Sequence, residues 1–460
     1  MTQKINIIWF RRDLRLYDNP ALYSAHLKGP ILALYTHYDP DLGKRSQWWL
    51  SESLKSMQQD LPMHYYKGHP LACFIELLKT HAIESINWNM CFEPDETDLD
   101  QEVIEFCQQN NIQTQTHQRQ LLWDPSTVLN QSGLPYKVFT PFYRKGCMNA
   151  AEPEHPIGKT QAQYITLTQL SSEVETLGLY HDKADHQQLS AIWEPSESAA
   201  HKRSEQFLNE RVNQYKKDRD FPGIKGTSHL SPYLHFGQIT PHQLWHRSIK
   251  MDLTPGIDTF LSELGWREFS YYLLYHFPTF ATENFNRKFD QFPWLNNDKE
   301  LKAWQQGQTG IPIVDAGMRE LLTTGTMHNR LRMITASFLT KNLLHHWHEG
   351  QDWFWENLVD ADLASNAAGW QWVAGSGADA SPYFRVFNPG LQGEKFDKDA
   401  TYIKKYVPEL RDVPAKMIHK IWDMSDEQLS PYLKIGIDYP RAIVDLKVTR
   451  NRALDAWGKL

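Results

Sequence analysis

Cysteine is scarce in this sequence: there are four in 460 residues, and none forms a Cys-x-x-Cys pair. A disulfide framework and a cysteine-based zinc site are therefore not expected, and we predict free thiols in a reducing cytoplasm. No apolar run approaches the roughly 20 residues that span a bilayer, and no basic-then-apolar leader opens the chain. These absences predict a cytoplasmic protein with no metal site and no membrane anchor.

Positive charge is not in excess either. The sequence has 48 lysines and arginines against 55 aspartates and glutamates, a formal net charge of −7. Bulk, nonspecific binding to nucleic acid is therefore disfavoured, although a local basic surface is compatible with this charge. Tryptophan is abundant, and eleven of the 17 follow residue 230. Burial is the default for such side chains, but the excess in one half also suits a domain that stacks bases or relays electrons.

Short apolar runs alternate with amphipathic segments over the first 125 residues. Strand patterns cover 5–10, 31–37, 85–89 and 112–117. Helical spacing falls between them, over 20–26, 48–61, 70–80 and 99–109. Strands that alternate with helices predict a Rossmann-like α/β domain with a doubly wound parallel sheet. No Gly-x-Gly-x-x-Gly follows the first strand, so a standard dinucleotide site is not expected there.

The rest of the chain divides into a linker and a helical part. Prolines and polar residues are dense over 126–198, which predicts an interdomain linker. From residue 199 helical periodicity dominates, and we expect an all-α domain over 199–460. Its clearest helices are predicted at 260–277, 313–323, 329–347 and 352–363. The α/β domain is predicted to occupy 1–125.

The segment 360–389 carries the most informative pattern. Asp362, Asn366 and Trp370 follow one another every four residues, so a helix would place them on one face. A buried amide beside a large indole is unusual in a plain core, because the amide needs hydrogen-bond partners. This segment resembles the flavin-binding signature of the photolyase/cryptochrome family. Trp-Phe-Arg-Arg-Asp-Leu-Arg at 9–15 also resembles that family's first motif.

The resemblance extends from Ile5 to about Pro440 and is nearest to class I photolyases, which repair cyclobutane pyrimidine dimers (CPDs). It implies a reduced, anionic FAD in the helical domain. Asp360 and Asp362 are expected to hold the isoalloxazine edge, and Arg332 is expected to pair with Asp360. Asn366 is expected to face flavin N5, where an amide can donate or accept a hydrogen bond. The remaining FAD contacts implied are Tyr215, Thr227, Ser228, His229, Leu230, Ser231 and Ala361.

A pocket for a flipped-out lesion is also implied. Trp266 and Met333 are expected to sandwich the pyrimidines, and Glu263 and Asn329 to hydrogen-bond their edges. These four residues and Asn366 are the catalytic residues that the resemblance implies. Spacing alone would favour a core Trp and a core Met, so the assignment depends on the resemblance.

Two further functions follow from the resemblance. Trp294, Trp347 and Trp370 match the family's electron relay to the flavin, with core packing as the alternative for each. Asp95 and Glu96 align with a loop that binds an antenna, 5,10-methenyltetrahydrofolate, in related enzymes. The family has Asn where Asp95 stands, which weakens that assignment. A deazaflavin, a second flavin or no antenna are the alternatives.

Contacts with DNA are implied for Glu263, Trp266 and Asn329, together with Arg219, Arg267, Arg330 and Gln392. We therefore expect a photo-lyase that repairs CPDs in UV-damaged DNA by electron transfer from excited reduced FAD. It is expected to be a monomer with no obligate protein partner, associated with the bacterial nucleoid when bound to DNA. The rivals are a cryptochrome photoreceptor and a light-independent flavoprotein electron carrier. The chain ends about 20 residues after Pro440, which favours repair over signalling.

Overall fold

A computed structural model describes residues 4–38 and 42–460, which divide into two compact units. Unit 1 comprises Met1–Asn213 and Ser228–Pro278, and unit 2 comprises Gln214–Thr227 and Thr279–Leu460. The expected combination of an α/β part and a helical part is confirmed. The units are defined by packing, and the domain boundaries near 125 and 198 stay predictions. Among the described residues, no helix has both the length and the apolar character needed to cross a membrane.

Unit 1 contains a five-stranded sheet whose described strand pairs are all parallel. The strand order is β3-β2-β1-β4-β5, so the chain reverses its direction of winding between β1 and β4. The central strand β1 is buried except at Lys4, because helices cover both faces of such a sheet. The strands are β1 (Lys4–Phe10), β2 (Ile31–His37), β3 (Met63–Lys67), β4 (Ala82–Asn89) and β5 (Gln113–His117).

Each helix that alternates with the strands overlaps a segment of predicted helical spacing, but two of them begin four and five residues earlier than predicted. Asn19 caps the first helix, because its side chain accepts the Leu22 N–H at 3.0 Å. Proline stands at the start of three of the four helices, where its missing N–H costs nothing. These helices are α1 (Pro20–Leu27), α2 (Lys44–Gln58), α3 (Pro70–Leu78) and α4 (Pro94–Gln109).

Strand β3 and the role of the predicted linker were not foreseen. The sequence Met-His-Tyr-Tyr-Lys of β3 shows neither an apolar run nor regular alternation, although its first three residues are buried. The segment 126–198 contains only short helical elements, yet part of it packs along the sheet. The Ile31 N–H donates to Gln163 O at 2.9 Å, and the Ile165 N–H donates to Ile31 O at 2.9 Å. This segment therefore belongs to the packed part of unit 1.

The remaining helices of unit 1 are led by α11, which is 22 residues long and begins after the N-cap Thr254. It starts five residues before the predicted position, because Pro255 and Gly256 open it rather than precede it. The helices of this group are α5 (Phe139–Pro141), α6 (Lys183–Ser190), α7 (Glu197–Glu210), α9 (Ser231–His235), α10 (Pro241–Ile249) and α11 itself (Pro255–His276).

Unit 2 is helical throughout its described secondary structure. Its largest buried cluster includes Trp304, Trp347 and Trp370. The helices are α8 (Tyr215–Asp218), α12 (Asp298–Gln305), α13 (Pro312–Thr324), α14 (Asn329–Ser337), α15 (Trp347–Asn357), α16 (Leu363–Ala374), α17 (Pro389–Phe396), α18 (Thr401–Tyr406), α19 (Ala415–Ile418), α20 (Asp426–Leu429) and α21 (Leu446–Trp457).

Two predicted helices of unit 2 have the wrong bounds. The helix expected over 329–347 ends at Ser337 and continues as a π-helical turn, Phe338–Asn342. The chain then breaks at Leu344, whose φ is 60°, and α15 begins at Trp347. The helix expected over 352–363 ends at Asn357, and a loop separates it from α16. Apolar spacing continued through both breaks because the intervening residues are buried as well.

Asp315 in α13 organises one end of this helical unit. Its buried carboxylate accepts hydrogen bonds from the Thr309 N–H and hydroxyl, the Gly310 N–H and the Tyr439 hydroxyl, at 2.5–3.0 Å. Burial raises the pKa of Asp315, while these donors act in the opposite direction. One carboxylate thus fixes two segments that lie far apart in the sequence.

We predict that Asp315→Asn lowers the free energy of unfolding by about 3 kcal/mol, because an amide turns one donor group toward existing donors. Chemical denaturation of the full chain measures this loss. The matched control is Asp298→Asn, since Asp298 is exposed, and it should change stability by less than about 0.5 kcal/mol. Equal losses in the two variants would contradict the role assigned to Asp315.

Candidate functional site

A buried loop joins α15 to α16 in unit 2 and carries the first predicted site residues. Asp360 is 5 % exposed, and Ala361 beside it is fully buried. The Nη2 of Arg332 donates to the two carboxylate oxygens of Asp360 at 3.2 and 3.3 Å. The Nε of Arg332 donates to Met327 O at 2.9 Å, which orients the guanidinium. The predicted ion pair is therefore present, and it compensates a charge that is costly to bury alone.

The start of α16 holds the next two predicted residues. Asp362 is the N-cap of this helix, and its Oδ1 accepts the Ser365 N–H at 2.7 Å. The Asn366 N–H donates to Asp362 O at 2.8 Å, so the two residues are one helical turn apart. The side-chain amide of Asn366 is 9 % exposed and donates to Gln351 O at 3.1 Å. A buried carboxylate and a buried amide thus lie side by side, as the sequence pattern predicted.

This arrangement suits the polar edge of a flavin ring system. An isoalloxazine edge presents both N–H donors and carbonyl acceptors, which carboxylate, guanidinium and amide groups can match. The Oε1 of Gln351, whose backbone carbonyl receives Asn366, is buried and has no hydrogen-bond partner among the described residues. These polar groups therefore fit the cofactor that the sequence predicts, and Asp360, Asp362, Arg332 and Asn366 would hold it.

Trp370 packs closely on α15. Its indole lies over Gly350, where a Cβ atom would overlap three atoms of the ring. The ring also contacts Phe354, with centroids 5.0 Å apart, and Trp304, with centroids 6.0 Å apart. Glycine is therefore required at 350 by the close approach of the indole and not by its backbone conformation.

The other two tryptophans of the predicted relay flank a histidine. The ring centroid of His346 lies 5.1 Å from that of Trp294 and 5.5 Å from that of Trp347. Trp347 is fully buried, and its Nε1 donates to Asn284 Oδ1 at 2.8 Å. Trp294 is half-buried. Trp347 thus lies in the interior of unit 2 and Trp294 lies nearer its surface. The His346 ring is close to both indoles.

The other predicted FAD contacts precede or begin α9, or lie in α8. Tyr215 and Thr227 belong to unit 2, and Ser228, His229, Leu230 and Ser231 belong to unit 1. The expected junction of a loop with a helix is present, because α9 begins at Ser231. His229 has a φ of 53°, and the Ser228 hydroxyl accepts the Leu230 N–H at 3.4 Å. Their FAD contacts stay predictions.

Asn329 and Met333 occupy the first turns of α14 in unit 2. Asn329 is exposed, and Met333 is half-buried. The preceding residue, His328, caps the helix, because its Nδ1 accepts the Arg330 N–H at 3.2 Å. Arg330 is held in place: its Nη2 contacts Asp220 Oδ1 at 2.8 Å, and its guanidinium lies 4.3 Å from the centroid of Phe396. DNA would thus compete with an internal carboxylate for Arg330.

The two other predicted DNA contacts of unit 2 are half-buried. The Arg219 guanidinium lies 5.5 Å from the centroid of the Tyr215 ring. Gln392 lies on α17. Both contacts stay predictions.

Glu263, Trp266 and Arg267 lie within two turns of α11 in unit 1. All three are half-buried. Trp266 stacks on Phe139, with centroids 3.8 Å apart and planes inclined by 11°. The Arg267 side chain is only 13 % exposed, and its Nη1 donates to Gln120 O at 2.7 Å. Arg267 thus serves the interior of its unit, and its contact with DNA stays a prediction.

The two residues of the predicted antenna loop differ in surroundings. Asp95 is exposed in the first turn of α4, whereas Glu96 forms an ion pair with Arg11 and accepts the Tyr38 hydroxyl at 2.9 Å. Burial opposes ionisation of Glu96, but Arg11 and Arg12 outweigh it and lower its pKa to about 2. Glu96 is therefore an internal partner of the arginines, and this surrounding does not suit a contact with an antenna.

Arg11 and Arg12 directly follow β1, and three carboxylates of the α4 region neutralise them. Arg12 pairs with Glu93, and Arg11 pairs with Asp100 as well as with Glu96. Burial raises the pKa of Asp100 to about 6 despite Arg11. The first family motif thus joins β1 to α4 within unit 1.

Sequence patterns did not single out several residues that shape these sites. His346 separates two relay indoles, Asn284 binds Trp347, and Asp220 holds Arg330. Gly350 receives Trp370. Each is a single residue that belongs to no motif, so a sequence pattern does not reveal it. Tertiary packing brings each one into contact with a predicted site residue.

Family comparisons match both parts of the chain. Residues 6–159 match the family model described as DNA photolyase, and residues 260–459 match the one described as the FAD binding domain of DNA photolyase. The deoxyribodipyrimidine photo-lyase of Agrobacterium fabrum is 40% identical over 98% of this chain and 97% of its own. The chain therefore belongs to the photolyase/cryptochrome family, as its motifs predicted, and it carries the family's FAD-binding domain.

Solved structures support the same fold. A bacterial class III photolyase from Agrobacterium tumefaciens is 39% identical, with a TM-score of 0.95, and the match covers 100% of this chain and 98% of that one. An archaeal photolyase from Sulfolobus tokodaii, solved with two FAD molecules, is 27% identical with a TM-score of 0.85, and the match covers 100% of both chains. The expected affinity to class I stays a prediction, since a class III enzyme is so similar.

We predict that Gly350→Ala lowers the free energy of unfolding by about 1–3 kcal/mol, because the added methyl group must displace the Trp370 indole. Thermal or chemical unfolding of the full chain measures the change. Gly369→Ala is the control, since a Cβ there meets nothing within 4 Å, and helix propensity should make it neutral or stabilising by up to about 1 kcal/mol. A loss in Gly369→Ala as large as in Gly350→Ala would argue against the packing described.

Proposed function

We propose that this protein is a deoxyribodipyrimidine photo-lyase that repairs cyclobutane pyrimidine dimers in UV-damaged DNA under light. The observation that carries the proposal is the cluster of buried Asp360, Asp362 and Asn366 with half-buried Arg332, inside the segment that matches the FAD-binding domain. FAD, when bound there in reduced form, would supply the light-driven electron transfer to the lesion.

The side chains of this protein would bind the cofactor and orient it. The ion pair of Arg332 and Asp360 would keep the polar edge of the cofactor in one position, since each partner fixes the other. The amide of Asn366 can rotate between donor and acceptor, so it would retain a hydrogen bond when the cofactor changes its protonation. Burial of Asp360 and Asn366 excludes water from them and strengthens their electrostatic interactions.

Four residues are proposed to contact the lesion. Asn329 is exposed at the start of α14 and has the amide needed to bind the polar edge of a pyrimidine. Trp266 would supply an aromatic surface for stacking, and Glu263, one turn away, an acceptor for imide N–H groups. Met333 would add apolar contact, because its thioether adapts to flat surfaces.

The decisive experiment uses the full chain with FAD reduced chemically under anaerobic conditions. UV-irradiated oligothymidine is added, and the recovery of thymine absorbance is followed under blue light and in the dark. Repair that requires light supports the proposal. Tight binding of irradiated DNA without recovery in the light would instead indicate a photoreceptor or an electron carrier.

Replacing Trp266 tests the lesion contact. We predict that Trp266→Ala weakens binding of irradiated oligothymidine by about 5- to 150-fold, since one base stack contributes about 1–3 kcal/mol, and that FAD stays bound. Fluorescence anisotropy of a labelled oligonucleotide measures the affinity. Tyr275→Ala, a substitution of a 39% exposed aromatic residue on the same helix, is the control and should bind normally. Unchanged binding in Trp266→Ala would refute the assignment.

Replacing Trp347 tests the relay. We predict that Trp347→Phe reduces the photoreduction of oxidised FAD to near background, because phenylalanine is far harder to oxidise than tryptophan. Repair by protein that has been reduced beforehand should stay unchanged. Absorbance under illumination with an external reductant measures the first effect. Trp457→Phe, outside the three predicted indoles, is the control. Normal photoreduction in Trp347→Phe would exclude a relay through this residue.

The identity of the antenna is open to a direct measurement. Asp95 is better placed than Glu96 to contact an antenna chromophore, because Asp95 is exposed and Glu96 is paired with Arg11. We propose a folate antenna, 5,10-methenyltetrahydrofolate, with Asp95 at its site and Glu96 in a structural role. Chromophores released from the purified protein and separated by chromatography identify it. Release of a second flavin or a deazaflavin in stoichiometric amount would contradict the folate proposal.

A further inference from the structure

Three potential metal ligands lie together in unit 1, away from the residues discussed above. One ring nitrogen of His155, one of His246 and a carboxylate oxygen of Glu152 all lie within 4.8 Å of one another. Glu152 and His155 are exposed in the loop that follows residue 150, and His246 is buried in α10. The His155 and His246 rings face each other, with centroids 4.1 Å apart.

The hydrogen bonds of His246 fix the tautomer of its ring. Its Nε2 lies 2.8 Å from Pro153 O and 3.1 Å from Glu154 O. Carbonyl oxygens only accept hydrogen bonds, so in the neutral ring Nε2 carries the hydrogen and Nδ1 keeps the lone pair. Nδ1 is buried and has no hydrogen-bond partner among the described residues. A histidine that donates one N–H to a backbone carbonyl can bind a metal through its other nitrogen, so a metal ion would bind Nδ1 of His246.

Arg119, Arg15 and Arg267 lie near this part of unit 1, because all three lower the pKa of His242. Arg119 is the nearest cation named by these contacts, since its Nη2 donates to His155 O at 3.2 Å. Its charge is compensated, because Glu154 Oε2 lies 2.9 Å from its Nη1 and Asp18 Oδ1 lies 3.2 Å from its Nε. His242, one turn before His246, stays neutral, since burial and then Arg119 lower its pKa to about 2. The carboxylate of Glu152 is therefore available to balance the charge of a metal ion.

The donor set selects the metal. Two imidazoles and one carboxylate match a borderline cation such as Zn²⁺, which takes three protein ligands and a water in many sites. Ligand atoms around tetrahedral zinc are separated by about 3.3–3.5 Å, given bond lengths of about 2.0–2.2 Å. The exposed side chains of Glu152 and His155 can make the required contraction by changing rotamer, while His246 stays fixed.

We propose that Glu152, His155 and His246 form a zinc site that joins the loop after residue 150 to α10. The ion would link two segments that are about 90 residues apart in the sequence, and its binding would stabilise the folded chain. This inference is independent of the proposed function, because none of the three residues belongs to the predicted flavin, lesion or relay sites.

The test uses the full-length, FAD-loaded protein without a polyhistidine tag, treated with EDTA and dialysed. Isothermal titration with ZnSO4 should show one Zn²⁺ per chain with a Kd of about 10 µM or tighter. His155→Ala and Glu152→Gln, both surface substitutions, should weaken binding by about tenfold or more. Zn²⁺ should also raise the midpoint of thermal unfolding in the unmodified protein and not in these variants.

His69→Ala is the matched control and should bind Zn²⁺ normally, since His69 is an exposed histidine whose Nε2 lies 3.6 Å from Glu102 and whose ring contacts Tyr38. Three results would overturn the proposal: no stoichiometric binding of Zn²⁺, the same affinity in His155→Ala as in His69→Ala, or binding without any rise in the unfolding midpoint. Because the readouts are metal binding and unfolding, their failure would leave the repair assay unaffected.

Discussion

Burial of the Asp360 carboxylate is the constraint on which the rest of the helical unit depends. An ionised carboxylate cannot leave water without a partner, and Arg332 supplies that partner from α14. The ion pair therefore connects α14, which carries Asn329 and Met333, to the loop that begins α16. The same loop places Asp362 as the helix cap and Asn366 one turn later. Removal of either charge would leave the other unpaired, so the site and the fold cannot be separated here.

Unit 1 also contains charges that need partners, and here they are two arginines. The two arginines after β1 are neutralised by Glu93, Glu96 and Asp100 of the α4 region, and this cluster joins the end of a central strand to a helix. Part of the family motif at 9–15 thus maintains architecture. A residue in a functional motif need not touch a ligand, and Glu96 illustrates this point, because its pKa near 2 reflects internal arginines.

The predicted helical spacing and apolar runs were reliable where burial produced them. Strands β1, β2 and β4 and the helices between them were found because each presents a continuous or periodic apolar surface. Strand β3 was missed because its sequence, Met-His-Tyr-Tyr-Lys, shows no apolar run or regular alternation, although its first three residues are buried. The breaks at Leu344 and after Asn357 were missed for the opposite reason, since buried residues continue through them. The apolar periodicity of a sequence predicts which residues are buried, but it does not predict where the backbone turns.

The sequence by itself determined the fold class and the family, because these depend on local patterns and on motifs that are continuous segments. The pairing of Arg332 with Asp360 was predicted from the resemblance to that family. Tertiary structure alone decided which residues support those motifs. His346 between two indoles, Gly350 beneath Trp370, and Asp220 holding Arg330 come from segments far apart in the chain. The cluster of Glu152, His155 and His246 arises in the same way. The cysteine count predicted no metal site, but a ligand set made of histidine and glutamate from two distant segments has no spacing that a sequence pattern can reveal.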